Sequence, residues 1–204
     1  MRNETLTFVV VLILTVALGA PGLAGPKPLS GVRLAWTPTT SPSQYGSINL
    51  TAMSGVKMEI RDLADKREKP ELIGENREEE EKGIVLPVIA ADKPALFITQ
   101  NLKHLFSDAG LKVADSGGDV IVSGEVKRFF VQETSIYQGE ASLALEVKNR
   151  EGKVLWSGAA GGTAKRFGRS YKAENYIKVL CDSLMDAAYT LLQDDTFLRA
   201  LSGK

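Results

Sequence analysis

Between Val120 and Trp156 the chain alternates apolar and polar residues in three successive runs, and this limits the fold more than any other feature. Val120, Val122 and Val126 share one parity, Ala141, Leu143, Leu145 and Val147 repeat it, and Val154 and Trp156 return on one face after Glu151-Gly152. A period of two puts alternate side chains on opposite faces of a strand, so each run buries one face. Glu151-Gly152 is a hairpin turn signal. The three runs therefore read as a meander of long strands at the centre of a sheet. Phe129 and Val131 fall on the other parity, which calls for a bulge or a change of neighbours within their strand.

A sheet with one apolar face needs a cover. Ile98, Leu102, Leu105, Phe106 and Ala109 recur at helical spacing, with Asp92 as a candidate N-cap, Pro94 in the first turn and Gly110 just beyond the end. Tyr176, Val179, Leu180, Leu184, Ala187, Ala188 and Leu191 form a second stripe, on a helix spanning roughly Lys172 to Gln193. A short amphipathic tail with Phe197, Leu198 and Leu201 closes the chain. Further strands read at Val56–Ile60, around Leu72 and Ile73, at Ile84–Ile89 and at Leu111–Ala114. The expected fold is α/β of the α+β kind: a mostly antiparallel sheet with two main helices packed on one face. Leu102, Phe106, Val122, Leu145, Trp156, Leu180 and Leu184 are the expected core.

The amino-terminal end has a different logic. Arg2, weakened by Glu4, precedes an almost unbroken apolar run from Leu6 to Leu18. That run fits the apolar region of a secretory signal and falls short of the roughly 20 residues that span a bilayer. Cleavage after Ala24 places Gly22 and Ala24 where the peptidase accepts small side chains, whereas cleavage after Ala20 would put Pro21 beside the cut. An uncleaved anchor is the alternative. The chain divides accordingly into a signal at 1–24, a flexible Pro/Ser-rich leader at 25–52 and a single α+β domain at 53–204. In the leader, Trp36 and Tyr45 are the residues able to dock. The processed chain of about 180 residues is large enough for one ordinary core. With one cysteine, Cys181, it forms no internal disulfide, so that core must stabilise the exported protein alone.

Candidate chemistry is sparse. Lys and Arg total 25, as do Asp and Glu, which argues against a general nucleic-acid or membrane-surface binder. His104 is the only histidine and falls with Asn101 and Asp108 on the polar side of its helix, so it makes neither a metal cluster nor a triad. Gly158–Gly168 is glycine-rich, but Lys165-Arg166 is followed by Phe167 rather than Ser or Thr, so it is no phosphate loop and reads as a strand end and loop. The acids Glu78, Glu79, Glu80 and Glu81 lie in a charged stretch from Arg61 to Lys82. Their spacing is not that of calcium ligands, and a solvated hairpin is the plain reading. No cofactor, metal site or catalytic residue is expected. A glycosidase-like carboxylate pair is defined by distance and stays open. Two oppositely charged elements are the candidate partner contacts: the acidic hairpin with Glu78, Glu79, Glu80 and Glu81, and the segment carrying Lys165, Arg166 and Arg169.

Several of these patterns resemble a known family. Val85-Leu86-Pro87, the helix Ala95–Ala109 with Gly110-Leu111, and Gly118-Asp119-Val120-Ile121-Val122 are similar to the YajG-type lipoproteins of the bacterial envelope. So are Leu145-Glu146-Val147, Leu155-Trp156-Ser157-Gly158 and Leu191-Leu192-Gln193-Asp194. The likeness covers roughly residues 53 to 201. A wider set of envelope lipoproteins, including curli-assembly and penicillin-binding-protein activator proteins, shares the helix, strand and hairpin order. The resemblance implies a noncatalytic envelope protein, often tethered to the outer membrane. The lipid-bearing cysteine of that family is absent here, which favours a soluble periplasmic form unless a partner or an uncleaved signal holds it at a membrane. The expected function is that of a periplasmic or envelope-associated accessory protein acting through contacts with envelope proteins. The alternatives are a subunit of an envelope transport or assembly complex, or a carboxylate-based periplasmic hydrolase.

Cleavage after Ala24 gives an exported chain that begins at Gly25. Intact-mass measurement of the periplasmic fraction checks it, and a full-length cytoplasmic product refutes it.

Overall fold

A computed structural model describes residues 27–203. The signal and its cleavage site after Ala24 lie outside the described residues. Among these residues nine strands form one open sheet, and three α-helices accompany it. Strands β7 (Val120–Glu133), β8 (Ile136–Asn149) and β9 (Val154–Phe167) are each 14 residues long and pair antiparallel in sequence order, as the alternation requires.

The other edge of β7 is shared by three short strands in succession, all parallel to it: β2 (Lys57–Ile60), β3 (Ala64–Asp65) and β4 (Leu72–Glu79). They act as one interrupted strand. Beyond β2 lies β6 (Lys112–Ala114), and beyond β4 lie β5 (Ile84–Ala90) and then β1 (Leu29–Val32). The long antiparallel ladders carry most of the pairing, and the parallel pairs are confined to the short flanking strands.

The parity change in β7 is a bulge. Its register with β8 slips between Val126 and Arg128, so Lys127 is the extra residue. Val126 and Phe129 consequently both reach the core and are fully buried.

Helices α1 (Pro94–Asp108) and α2 (Ala173–Leu192) cover the apolar face, and α3 (Asp195–Leu201) extends that cover. Helix α2 crosses from β8 to β9 so closely that a side chain at Gly162 would collide with the backbone of Ser183 and Ala187. The α2 bounds match the apolar stripe, and α3 is N-capped by Asp194, whose carboxylate accepts from Thr196 and Phe197 amides. Gly110 follows α1 with φ of 103°, a conformation that favours glycine. Among the described residues, no helix is long and apolar enough to cross a membrane.

Several local expectations are corrected. Asp92 is not the cap of α1. Lys93 holds that position without a side-chain bond, and Asp92 accepts instead from the Leu34 amide at 2.7 Å. Asn101 is buried rather than on the polar side, because its amide donates to Phe97 O one turn earlier at 2.7 Å. His104 and Asp108 are exposed as expected. Of the expected core residues, Leu102, Phe106, Val122, Leu145, Leu180 and Leu184 are buried. Trp156 is only half-buried: it lies on the edge strand, edge-on to Phe197 at 5.1 Å, with its indole N–H donating to Thr196 Oγ1. The glycine-rich segment is not a loop but the body of β9. At Gly162 the missing side chain serves close helix packing, and pairing with β8 keeps the strand extended despite low intrinsic preference.

The leader is extended but not unpacked. β1 adds to β5, and the chain then runs between the two main helices. Trp36 tilts against Phe97 of α1 at 6.3 Å, and Tyr45 stacks on Tyr189 of α2 at 4.7 Å. Met53 is buried before β2 begins.

Replacing Leu145 or Leu184 by Ala removes fully buried methyl groups and should cost about 2–5 kcal/mol. His104→Ala should cost less than about 0.5 kcal/mol, as for a surface site. Chemical denaturation of the three variants checks this ranking.

Candidate functional site

The polar chemistry of the molecule gathers at the end of the sheet where β4 and β7 stop and α2 begins. β7 carries Val131 and Glu133 on its core face, so alternation delivers a carboxylate into the interior. Glu133 is fully buried. Its Oε1 accepts from the Ser170 and Tyr171 amides at 3.0 and 3.1 Å, and its Oε2 accepts from the Tyr176 hydroxyl at 2.7 Å. The Tyr137 hydroxyl lies 3.1 Å from Ser170 Oγ and accepts from the Ser170 amide, and Asn175 donates to Ser170 Oγ at 2.7 Å. Tyr171, at φ of 39°, is the one non-glycine residue with positive φ among the described residues. Its hydroxyl donates to Pro87 O and accepts from the Leu29 amide, joining β5 to β1.

Burial pushes the Glu133 carboxyl up. The Tyr176 and Tyr137 hydroxyls, the Tyr171 amide and the Asn76 side chain outweigh it and hold the group below the usual carboxylate range. Tyr176 is pushed up, by burial first and by the facing carboxylate second. Both carboxylate oxygens are engaged by donors and closed to solvent. Glu133 anchors the turn that launches α2.

A second buried acid works in the same way. Asp182 on α2 accepts from the Thr39 and Thr40 amides at 2.6 and 2.9 Å and from Thr39 Oγ1 at 2.5 Å. Beside it, Cys181 Sγ donates to Ala35 O at 3.4 Å, and the Thr37 amide lies 3.5 Å from the sulfur. Burial pushes the Cys181 thiol up to about 11, so it is a protonated and enclosed thiol. The leader is thus held largely through its backbone.

The charged residues singled out from sequence fall at or near the same end. Glu78 and Glu79 finish β4, and Glu80 and Glu81 form a 3-10 turn with Lys82 before β5, so the solvated acidic hairpin is present. Arg169 pairs with Glu78 at 3.4 Å within the one chain, over a shallow cavity of about 300 Å³ also lined by Thr134 and Ser135. Glu79 pairs with Lys82 and Glu80 with Arg77. Lys165 and Arg166 belong to β9 and point to opposite sheet faces. Lys165 lies on the open face near Arg128, Phe130 and Glu140, whereas Arg166 lies on the helix face. The structure therefore joins Arg169 to Glu78 and separates Lys165 from Arg166.

Another shallow cavity, of about 480 Å³, lies at the start of α1 between Leu63, Pro70, Pro94 and Leu96, with Asp62, Asp65, Glu71 and Asp92 around it. Two of these acids are already engaged, Asp65 by Arg67 at 2.7 Å and Asp92 by the Leu34 amide. Among the described residues no group of three or more histidine, cysteine or acidic side chains is placed to hold a metal ion. Glu133 and Asp182 were not singled out from sequence, although each has a signal: an acid on the core parity of β7, and an acid beside the apolar stripe of α2.

No family model and no curated protein matches the chain. Solved structures do. A Xanthomonas campestris protein of family DUF330 is similar at a TM-score of 0.54 and 13% identity, over 79% of this chain and 91% of that one. An uncharacterized protein is similar at a TM-score of 0.51 and 11% identity, over 82% and 98%. A lipoprotein-like protein from Caulobacter crescentus gives a TM-score of 0.45 and 12% identity, over 56% and 88%. At these identities the first two establish a shared fold. These likenesses show the fold and do not single out the YajG-type family.

The Glu133 anchor has a pH signature. A carboxyl held below its ordinary value of 4.5 stabilises the fold fully above that value, and the contribution is lost as pH falls through the lower folded value. Glu133→Gln should cost about 1–3 kcal/mol near pH 7. The gap between variant and native protein should narrow as denaturation is repeated toward pH 3. A gap independent of pH refutes a charged Glu133.

Proposed function

We propose that this protein is a noncatalytic accessory protein of the bacterial envelope that works through contacts made by its surface. The observation that carries the reading is the use of its buried polar groups. Glu133, Asp182 and Asn101 are all spent on backbone, threonine or tyrosine partners, and no buried side-chain N or O among the described residues lacks a hydrogen bond. What is left to act is the outer surface. The secretory signal supports an extracytoplasmic site, and the YajG-like patterns support the envelope. The shared fold with the DUF330 protein is compatible with both. Periplasmic location, with the outer membrane reached through a partner, is part of the proposal. Membership of a transport or assembly complex is its narrower form.

The contact elements are the acidic hairpin at Glu78, Glu79, Glu80 and Glu81 and the cations Lys165, Arg166 and Arg169. All but one of these residues are exposed, Arg166 being half-buried. Surface charges of this kind add little stability but steer encounter. Reversing Lys165, Arg166 and Arg169 to Glu should leave the thermal midpoint nearly unchanged and reduce salt-sensitive recovery of envelope proteins after crosslinking in intact cells. Unchanged recovery would sink the contact assignment. Turnover of a peptidoglycan or glycan substrate by the purified protein would sink the noncatalytic reading and favour the carboxylate hydrolase.

A further inference from the structure

Among the described residues, the sheet ends on one side in a strand whose outer edge pairs with no other strand and is touched by a side chain at Thr163, where Asp186 of α2 reaches it. β9 runs for 14 residues and pairs only with β8. The remaining outer strands are short, four residues for β1 and three for β6. Short edge strands, prolines, bulges and inward charges are the usual means of keeping sheet edges from pairing. From Trp156 to Phe167 β9 has neither proline nor bulge: its register with β8 is continuous, and its charges, Lys165 and Arg166, are confined to its carboxyl-terminal end.

The direction of its free groups is fixed by one bond. The Thr163 amide donates to Asp186 Oδ2 of α2 at 2.8 Å, so Thr163 turns its N–H away from β8. Alternation then turns Ser157, Ala159, Gly161, Lys165 and Phe167 outward as well. All five are exposed, and Gly161 has open space around it.

We infer that β9 pairs antiparallel with β9 of a second copy, about a two-fold axis at Gly161. The strand is patterned for itself. Its first half, Val154 to Ala160, is uncharged, and its second half carries Lys165 and Arg166. Antiparallel pairing centred on Gly161 sets Lys165 opposite Ser157 and Arg166 opposite Trp156, so cations meet uncharged residues and an indole face rather than each other. A parallel arrangement would stack the cations. Two of the four exposed large apolar side chains among the described residues, Val154 and Phe167, stand at opposite ends of β9. The same register brings Phe167, 89% exposed, to the Val154–Leu155 end of the other copy. At the centre, Ala159 and Gly161 leave no side chain in the way. One rung in each copy, the Thr163 amide, is shared with Asp186. The contact is isologous and closes as a dimer. It does not depend on the envelope reading.

Sedimentation equilibrium of the exported protein tests it. The native chain should be dimeric, and Gly161→Pro, which removes an outward N–H without touching the β8 ladder, should raise the dissociation constant about ten-fold or more. Ala159→Pro serves as the second variant if the first fails to fold, with circular dichroism as the control. Gly161→Cys should oxidise to a covalent dimer, because residues at the axis of such a pair lie about 5.5 Å apart, and Val85→Cys on β5 should not. A native chain that stays monomeric at all concentrations overturns the proposal. So does a dimer indifferent to both prolines and uncrosslinked through Cys at 161.

Discussion

One buried carboxylate sets the position of much else. Glu133 ends β7 inside the core, where an acid is costly unless donors surround it. Its donors come from residues 170–176, so satisfying it fixes the turn into α2. Once that turn is fixed, α2 can descend on Gly162 and place Cys181 and Asp182 beneath the leader. The leader in turn brings β1 to β5, where Tyr171 of the same turn accepts the Leu29 amide. The chain of dependence returns to the residue where it began.

Much of this architecture is legible in the sequence. Alternation in β7, β8 and β9 and the 3.6-residue stripe of α2 are local patterns that depend on burial alone, and the parity break at Phe129 marks a bulge that the register confirms. What is not legible depends on partners far away in the chain. Asp92 looks like a helix cap until Leu34 claims it. The Pro- and Ser-rich leader looks unpacked because much of its attachment is through backbone amides, which every sequence possesses. Gly161 and Gly162 look like a loop because glycine is a poor strand former, and only the helix above reveals why a side chain is excluded at Gly162. The charged candidates had the same fate: Arg169 finds Glu78 across the fold, while Lys165 and Arg166, adjacent in sequence, part to opposite faces.

The distribution of polar groups bears on function more than any single residue. Buried acids in this molecule meet amides and hydroxyls of their own chain, and the cavities are shallow and lined in part by groups already engaged. The remaining charge lies on the exterior, in the acidic hairpin and on the open polar face of β7, β8 and β9.

The leader's attachment carries a consequence for how the molecule is made. Thr39 and Asp182 stand 143 positions apart, and Leu29 and Tyr171 142 apart. A polypeptide made amino end first presents the leader long before α2 has emerged. The groove it occupies does not exist until almost the whole domain has been synthesised. Closing so long a loop is slow and comes after local pairing. A segment made early is therefore among the last to fold, and during that interval its Trp36 and Tyr45 lack the Phe97 and Tyr189 rings that later cover them.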